Sequence, residues 1–150
     1  MNRKNVWTLS LMTAMLLPLG VGATDYRAEK PATWTAHTVD NAVKALYGDV
    51  KFIKSDKINL KMSSEFASGA LVPVYIKTKI NAKSVSLFQD VNPESAVAVW
   101  TVPEGGIVNY SVKMKLKEGS PRITVVVEGR DGKFYTTHKV VQVTGGGCEG

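Results

Sequence analysis

The stretch Ile107-Val108-Asn109-Tyr110-Ser111-Val112-Lys113-Met114-Lys115-Leu116-Lys117 decides the fold. Val108, Tyr110, Val112, Met114 and Leu116 occupy every second position, and Asn109, Ser111, Lys113 and Lys115 lie between them. Successive side chains of a strand point to opposite faces, so this period of two describes a strand with one apolar and one wetted face. Wound into a helix, the same residues would scatter around the whole circumference.

The pattern extends outward from this stretch in both directions. Upstream, Ile58, Leu60 and Met62 alternate with polar residues, as do Val72, Val74, Ile76 and Ile80, and then Val85 and Leu87. Pro73 lacks a backbone N–H, which predicts an edge strand or a bulge at that point. Ala96 to Val102 forms a further apolar strand. Downstream, Ile123 to Glu128 and Lys133 to Val143 flank Gly129-Arg130-Asp131-Gly132, an expected hairpin. Ser68-Gly69, Asn81-Ala82, Asn92-Pro93, Pro103-Glu104-Gly105-Gly106 and Gly119-Ser120-Pro121 supply turn chemistry between the runs.

About seven short strands with no interleaved helix predict an all-β, immunoglobulin-like antiparallel β-sandwich. The paired cysteines of antibody domains are missing, so the architecture alone is implied. Ahead of the strands, Thr38 is an N-cap for a short helix with Val39, Ala42, Val43 and Leu46 on one face and Gly48 as its stop. Tyr26 to Trp34 carries no clear period and is expected to lie as an extended arm that Trp34 seats.

Residues 1–23 have the organisation of a secretory signal peptide. Arg3 and Lys4 form the charged start, Val6 to Val21 is largely apolar, and Val21-Gly22-Ala23 offers small residues for cleavage. Thr8, Ser10, Thr13, Pro18 and Gly20 interrupt the run and weigh against a membrane anchor. With no twin arginine, the general secretory route is expected, leaving a periplasmic chain that starts at Thr24. The expected division is a leader at 1–23, a sandwich domain with its arm and helix at 24–143, and a flexible arm at 144–150.

Loss of Arg3 and Lys4 with the leader lowers the net charge from +6 to +4. The lysines are spread along strands without interleaved aromatics, which gives no support for nucleic-acid binding. His37 and His138 have no nearby carboxylate or cysteine at metal-ligand spacing. Asp40, Asp90, Glu94, Glu104 and Glu128 lie at turns or element ends and are expected to be solvated. No phosphate loop, nucleophile elbow or cofactor motif is found, so neither cofactor nor metal is expected and the chain is read as non-catalytic. Trp100 is expected in the core or, with its two-sided apolar strand, at a subunit interface.

The chemistry is concentrated at the end, Thr144-Gly145-Gly146-Gly147-Cys148-Glu149-Gly150. Cys148 is the single cysteine, so it has no intramolecular partner. Gly145, Gly146, Gly147 and Gly150 strip the segment of side chains and of conformational preference. Counted from Val143, five residues allow the sulfur a reach of roughly 17 Å. The competing reading is a frayed terminus with an incidental thiol. Accessibility favours function: an intermolecular disulfide in an exported binding module, or covalent carriage of a substrate. A thiol peroxidase or reductase would need an activating base or a resolving cysteine. Glu149 places a carboxylate beside the sulfur, and negative charge disfavours the thiolate.

On these residues the sequence resembles the SoxY family, sulfur carriers of periplasmic thiosulfate oxidation, whose chains end in Gly-Gly-Cys-Gly-Gly. Gly146, Gly147, Cys148 and Gly150 match that ending, and Glu149 stands where the family has glycine. The resemblance extends through Asp131 to Tyr135, Lys139 to Thr144, Val72-Pro73-Val74 and Asn92-Pro93. It implies a carrier that holds thiosulfate-derived intermediates on Cys148 and pairs with a small β-sandwich protein, SoxZ. It further implies a c-type cytochrome that joins cysteine to thiosulfate, a hydrolase that releases sulfate and, in some organisms, a molybdenum-haem sulfur dehydrogenase.

Overall fold

The computed structural model describes residues 24–146. The expected leader, and Gly147, Cys148, Glu149 and Gly150, lie outside the described residues.

Among the described residues three helices come first: α1 (Tyr26–Glu29), α2 (Pro31–Trp34) and α3 (Val39–Tyr47). Tyr26 to Trp34 is therefore two helical turns, not an extended arm. The Asp25 carboxylate caps the first by accepting from the amides of Arg27 and Ala28, and Pro31 opens the second with its φ already set. Trp34 folds the pair back: its indole N–H donates to the Tyr26 carbonyl, and the Arg27 guanidinium lies 4.1 Å from its ring centre. Helix α3 has the predicted Thr38 cap, with its hydroxyl accepting from the Asn41 amide, and ends at Gly48 with φ of 80°.

Ten strands follow. Strands β1 (Phe52–Lys54), β5 (Ala82–Phe88), β6 (Ala96–Thr101), β8 (Arg122–Gly129) and β9 (Phe134–Val140) form one sheet in the order β1-β9-β8-β5-β6. Strands β2 (Ile58–Lys61), β4 (Val72–Thr78) and β7 (Val108–Met114) form a second, with β4 in the middle. The short β3 (Glu65–Phe66) and β10 (Gln142–Val143) pair with each other. The main ladders are antiparallel, as expected of the sandwich; β1 with β9 and β3 with β10 add two short parallel pairings.

Pro73 occupies a locally free flank of β4. Strand β2 pairs only as far as Tyr75, so Pro73 has β7 on one side and no ladder on the other. The β8–β9 hairpin turns at Gly129 to Gly132, where Gly132 takes φ of 77°.

Between the sheets, Val72, Val74, Ile76, Val108 and Leu116 meet Val85, Leu87, Ile123, Val125 and Val127, all essentially inaccessible to water. The five-stranded sheet is covered on its other face as well, where Phe88 and Val126 pack against Ala42, Val43 and Leu46 of α3. Layering of helices on sheet on sheet explains why Val125-Val126-Val127 is apolar without a break. It also accounts for the two-sided apolar strand at Ala96 to Trp100. A bulge against Leu87 and Phe88 lets Ala96 and Val99 pack toward the helices while Val97 and Trp100 pack on the inter-sheet core. Both faces of that strand thus have partners within the chain, although each of its residues stays partly exposed.

Candidate functional site at the root of the C-terminal segment

The last described residues are bound to the body by consecutive backbone contacts. Val141 and Val143 are buried, which fixes β10 by its side chains. Its backbone is held from both sides: the Gln142 amide donates to Ser64, the Val143 amide to Gly119, and the Gly119 amide returns to the Val143 carbonyl. The Ser120 hydroxyl donates to Gln142 Oε1 at 2.7 Å. Beyond the strand, the Thr144 amide donates to Phe66 and the Gly69 amide donates to the Gly145 carbonyl at 2.6 Å.

Gly145 is therefore seated, and the seat explains why it is glycine. A Cβ there would lie 2.7 Å from the Ala67 carbonyl oxygen, closer than van der Waals contact allows. At Gly146 the nearest atom to such a Cβ would be the Glu118 amide at 3.7 Å, an ordinary contact. The expected arm at 144–150 is thus anchored through its second residue. Three residue steps lead from Gly145 to Cys148, which limits the sulfur to about 10 Å from this anchor rather than the roughly 17 Å counted over five steps from Val143.

Two residues read as turn formers, Gly69 and Asn92, support the root. Gly69 lies where a Cβ would overlap the Leu116 carbonyl, and its own carbonyl accepts from the Leu116 amide. Asn92 grips the segment after β7: its side-chain amide donates to the Lys115 carbonyl at 2.8 Å and its oxygen accepts from the Lys117 amide at 3.0 Å. That segment leads directly to Gly119 and its pairing with Val143. Gln89, fully buried, holds the Asn92 loop by accepting from the amides of Val91 and Asn92 and donating to Glu94. Neighbours in space but distant in sequence, these contacts left no periodic signal.

Elsewhere, Trp100 is half-buried, its ring centre 5.1 Å from that of Tyr110 across the open side of the sandwich. His37 and His138, a hundred residues apart, border one open cleft with Asp40, Asp90 and Arg122. His37 Nδ1 lies 2.7 Å from the Pro93 carbonyl. Among the described residues no group of three or more His, Cys, Asp or Glu side chains is arranged to hold a metal ion. Glu128 departs from the solvated role expected of it: it is mostly buried, accepts from Ser84 at 2.7 Å and pairs with Lys83 at 2.9 Å. The Tyr47 hydroxyl joins this network through Ser84 and Ser86, and burial pushes its pKa up to about 12.

The family model described as "Sulfur oxidation protein SoxY" matches residues 43–148, from within α3 to the terminal cysteine. The chain belongs to the SoxY family. Among solved structures, the sulfur carrier protein SoxY from Chlorobium limicola f thiosulfatophilum superposes with a TM-score of 0.64 at 29% identity, covering 71% of this chain and 96% of that one. Two superoxide reductases (neelaredoxins) from Ignicoccus hospitalis share the fold alone. The T24K form has a TM-score of 0.53 at 10% identity over 61% of this chain and 94% of that one, and the E23A form 0.51 at 11% over 71% and 89%. No curated protein matches the sequence significantly.

Proposed function

We propose that the protein is a periplasmic, non-catalytic carrier that holds thiosulfate-derived intermediates on Cys148 and presents them to partner enzymes. The observation that carries this reading is the anchored root: the fold spends buried valines and paired backbone on fixing residues 141–145, immediately before the one cysteine. A terminal thiol with an incidental role would need no such seat. The family match reaching residue 148, and the sulfur carrier among the structural matches, support the same reading.

On this reading Gly146, Gly147 and Gly150 keep the segment slim enough to enter narrow active sites, while Gly145 ends the body. Loading joins the Cys148 sulfur to the outer sulfur of thiosulfate, giving a cysteine S-thiosulfonate, one proton and two electrons that a c-type cytochrome takes up. Hydrolysis then splits the S–SO3 bond: water supplies oxygen to the departing sulfate and the cysteine persulfide remains. A molybdenum-haem dehydrogenase would oxidise that sulfur further, and a SoxZ-like subunit would complete the carrier, with Trp100 near the contact. Tethering raises the concentration of the bound intermediate at each enzyme and prevents its escape.

Intact mass of the protein from its native periplasm tests this. Adducts of S2O3 or added sulfur on a chain beginning at Thr24, removed by reductant and absent in Cys148→Ser, are expected. A quantitative homodimer linked through Cys148, with no sulfur adduct, would overturn the reading.

A further inference from the structure

Strands β2, β4 and β7 contain no aspartate or glutamate, yet their solvent side carries Lys61, Lys77 and Lys113, all exposed. The same side continues past β7 with exposed Lys115 and Lys117. The ion pairs among the described residues, Lys44 with Asp49 and Lys83 with Glu128, lie elsewhere. Tyr75 stands in the middle of this field, 49% exposed. The register places Lys61 directly opposite it, Lys77 two residues along the same strand, and Lys113 diagonally across on β7, two residues beyond its other partner, Ser111. Beside the tyrosine is a shallow depression of about 250 Å³ lined by Asn59, Lys61, Tyr75, Lys77 and Asn109.

We propose that this outward face is a docking surface for a protein partner with a cluster of carboxylates. Diagonal neighbours on a sheet face are about 7–8 Å apart, so Lys61 and Lys77 repel each other and gain from an acidic partner. An exposed tyrosine is a residue type enriched at protein–protein contacts, and the lysines around it supply charge complementarity to carboxylates, which steers encounter more than it adds affinity. A membrane would call for a cluster of apolar side chains that insert, whereas Tyr75 stands alone within these strands and the exposed Leu71 and Ile107 flank the starts of β4 and β7, outside the lysine field.

Position gives the face its purpose. The row Lys113, Lys115, Lys117 runs into Glu118 and Gly119, and Gly119 pairs with Val143 at the arm root. An arm limited to about 10 Å enters only a partner that the body already holds nearby. This inference rests on the carrier reading for its direction, and its test separates the two.

The mature protein, labelled with ¹⁵N, is titrated with an octaglutamate peptide and, separately, with phosphatidylglycerol vesicles. In parallel, native periplasmic extract and thiosulfate are used to follow the mass gain on Cys148. In the wild type the peptide should shift amides at 59–61, 75–77 and 109–113, and these shifts should vanish at about 0.5 M salt. K61E/K77E/K113E, which alters only exposed side chains, should abolish the shifts and slow the mass gain by roughly tenfold or more. Its Cys148 should react with iodoacetamide at the wild-type rate, which shows an intact arm. Peptide shifts elsewhere, an undiminished mass gain in the triple variant, or a lysine-dependent preference for vesicles would overturn the proposal. A wild type that gains no sulfur mass would sink the carrier reading instead, and the peptide titration alone would then decide the face.

Discussion

Gly145→Ala separates anchoring from flexibility at the C-terminal glycines. The new Cβ would lie 2.7 Å from the Ala67 carbonyl oxygen, about 0.7 Å inside the 3.4 Å at which ordinary contact begins. Both atoms belong to backbone-fixed positions, so relief requires Gly145 to leave its seat. Doing so sacrifices the Gly69 N–H to Gly145 carbonyl bond, a net loss of about 1 kcal/mol, whereas staying costs about 1–3 kcal/mol of overpacking. Either route lowers the local opening free energy by at least about 1 kcal/mol. Hydrogen exchange of the Gly69 amide should therefore accelerate on the order of tenfold. Gly146→Ala is the control, because its Cβ meets the Glu118 amide at 3.7 Å. Gly69 protection should be unchanged in that variant. Equal protection in Gly145→Ala and Gly146→Ala would refute the seat and return both glycines to a common role as spacers.

Three further outcomes are expected. Tyr47 is more acidic in the unfolded chain than in the folded one, so the unfolded state loses its proton first as pH rises. Stability should fall by about 3 kcal/mol between pH 10 and about 12, and Tyr47→Phe should remove that slope in urea titrations. Leu46→Ala empties the contact between α3 and the sheet and should cost about 2–4 kcal/mol in denaturant unfolding, with β4–β7 pairing retained by amide exchange. Glu149→Gly should speed alkylation of Cys148 by an anionic reagent more than by a neutral one, with the gap closing at high salt; equal acceleration would show that the carboxylate does not govern the thiol.

Local periodicity determined much of this protein. The alternation at Val108 to Leu116, the Thr38 cap and the Gly129 to Gly132 turn each act within a few residues, so each was legible without a partner in space. The cysteine among glycines is likewise a local pattern of the sequence, and Cys148 itself lies outside the described residues. Other features depended on pairing across distance. The two faces of Ala96 to Trp100 look like surplus apolar area until α3 covers one of them, and Glu128 looks solvated until Ser84 and Lys83 close over it. Gly145 shows the contrast most clearly. In the chain it is one of three consecutive glycines with equal claims to flexibility, and only the Ala67 carbonyl and the Gly69 amide, nearly eighty residues upstream, make it the last residue of the body. Sequence pattern records what a side chain does for its own segment; the tertiary structure decides which backbone comes close enough to forbid a side chain altogether.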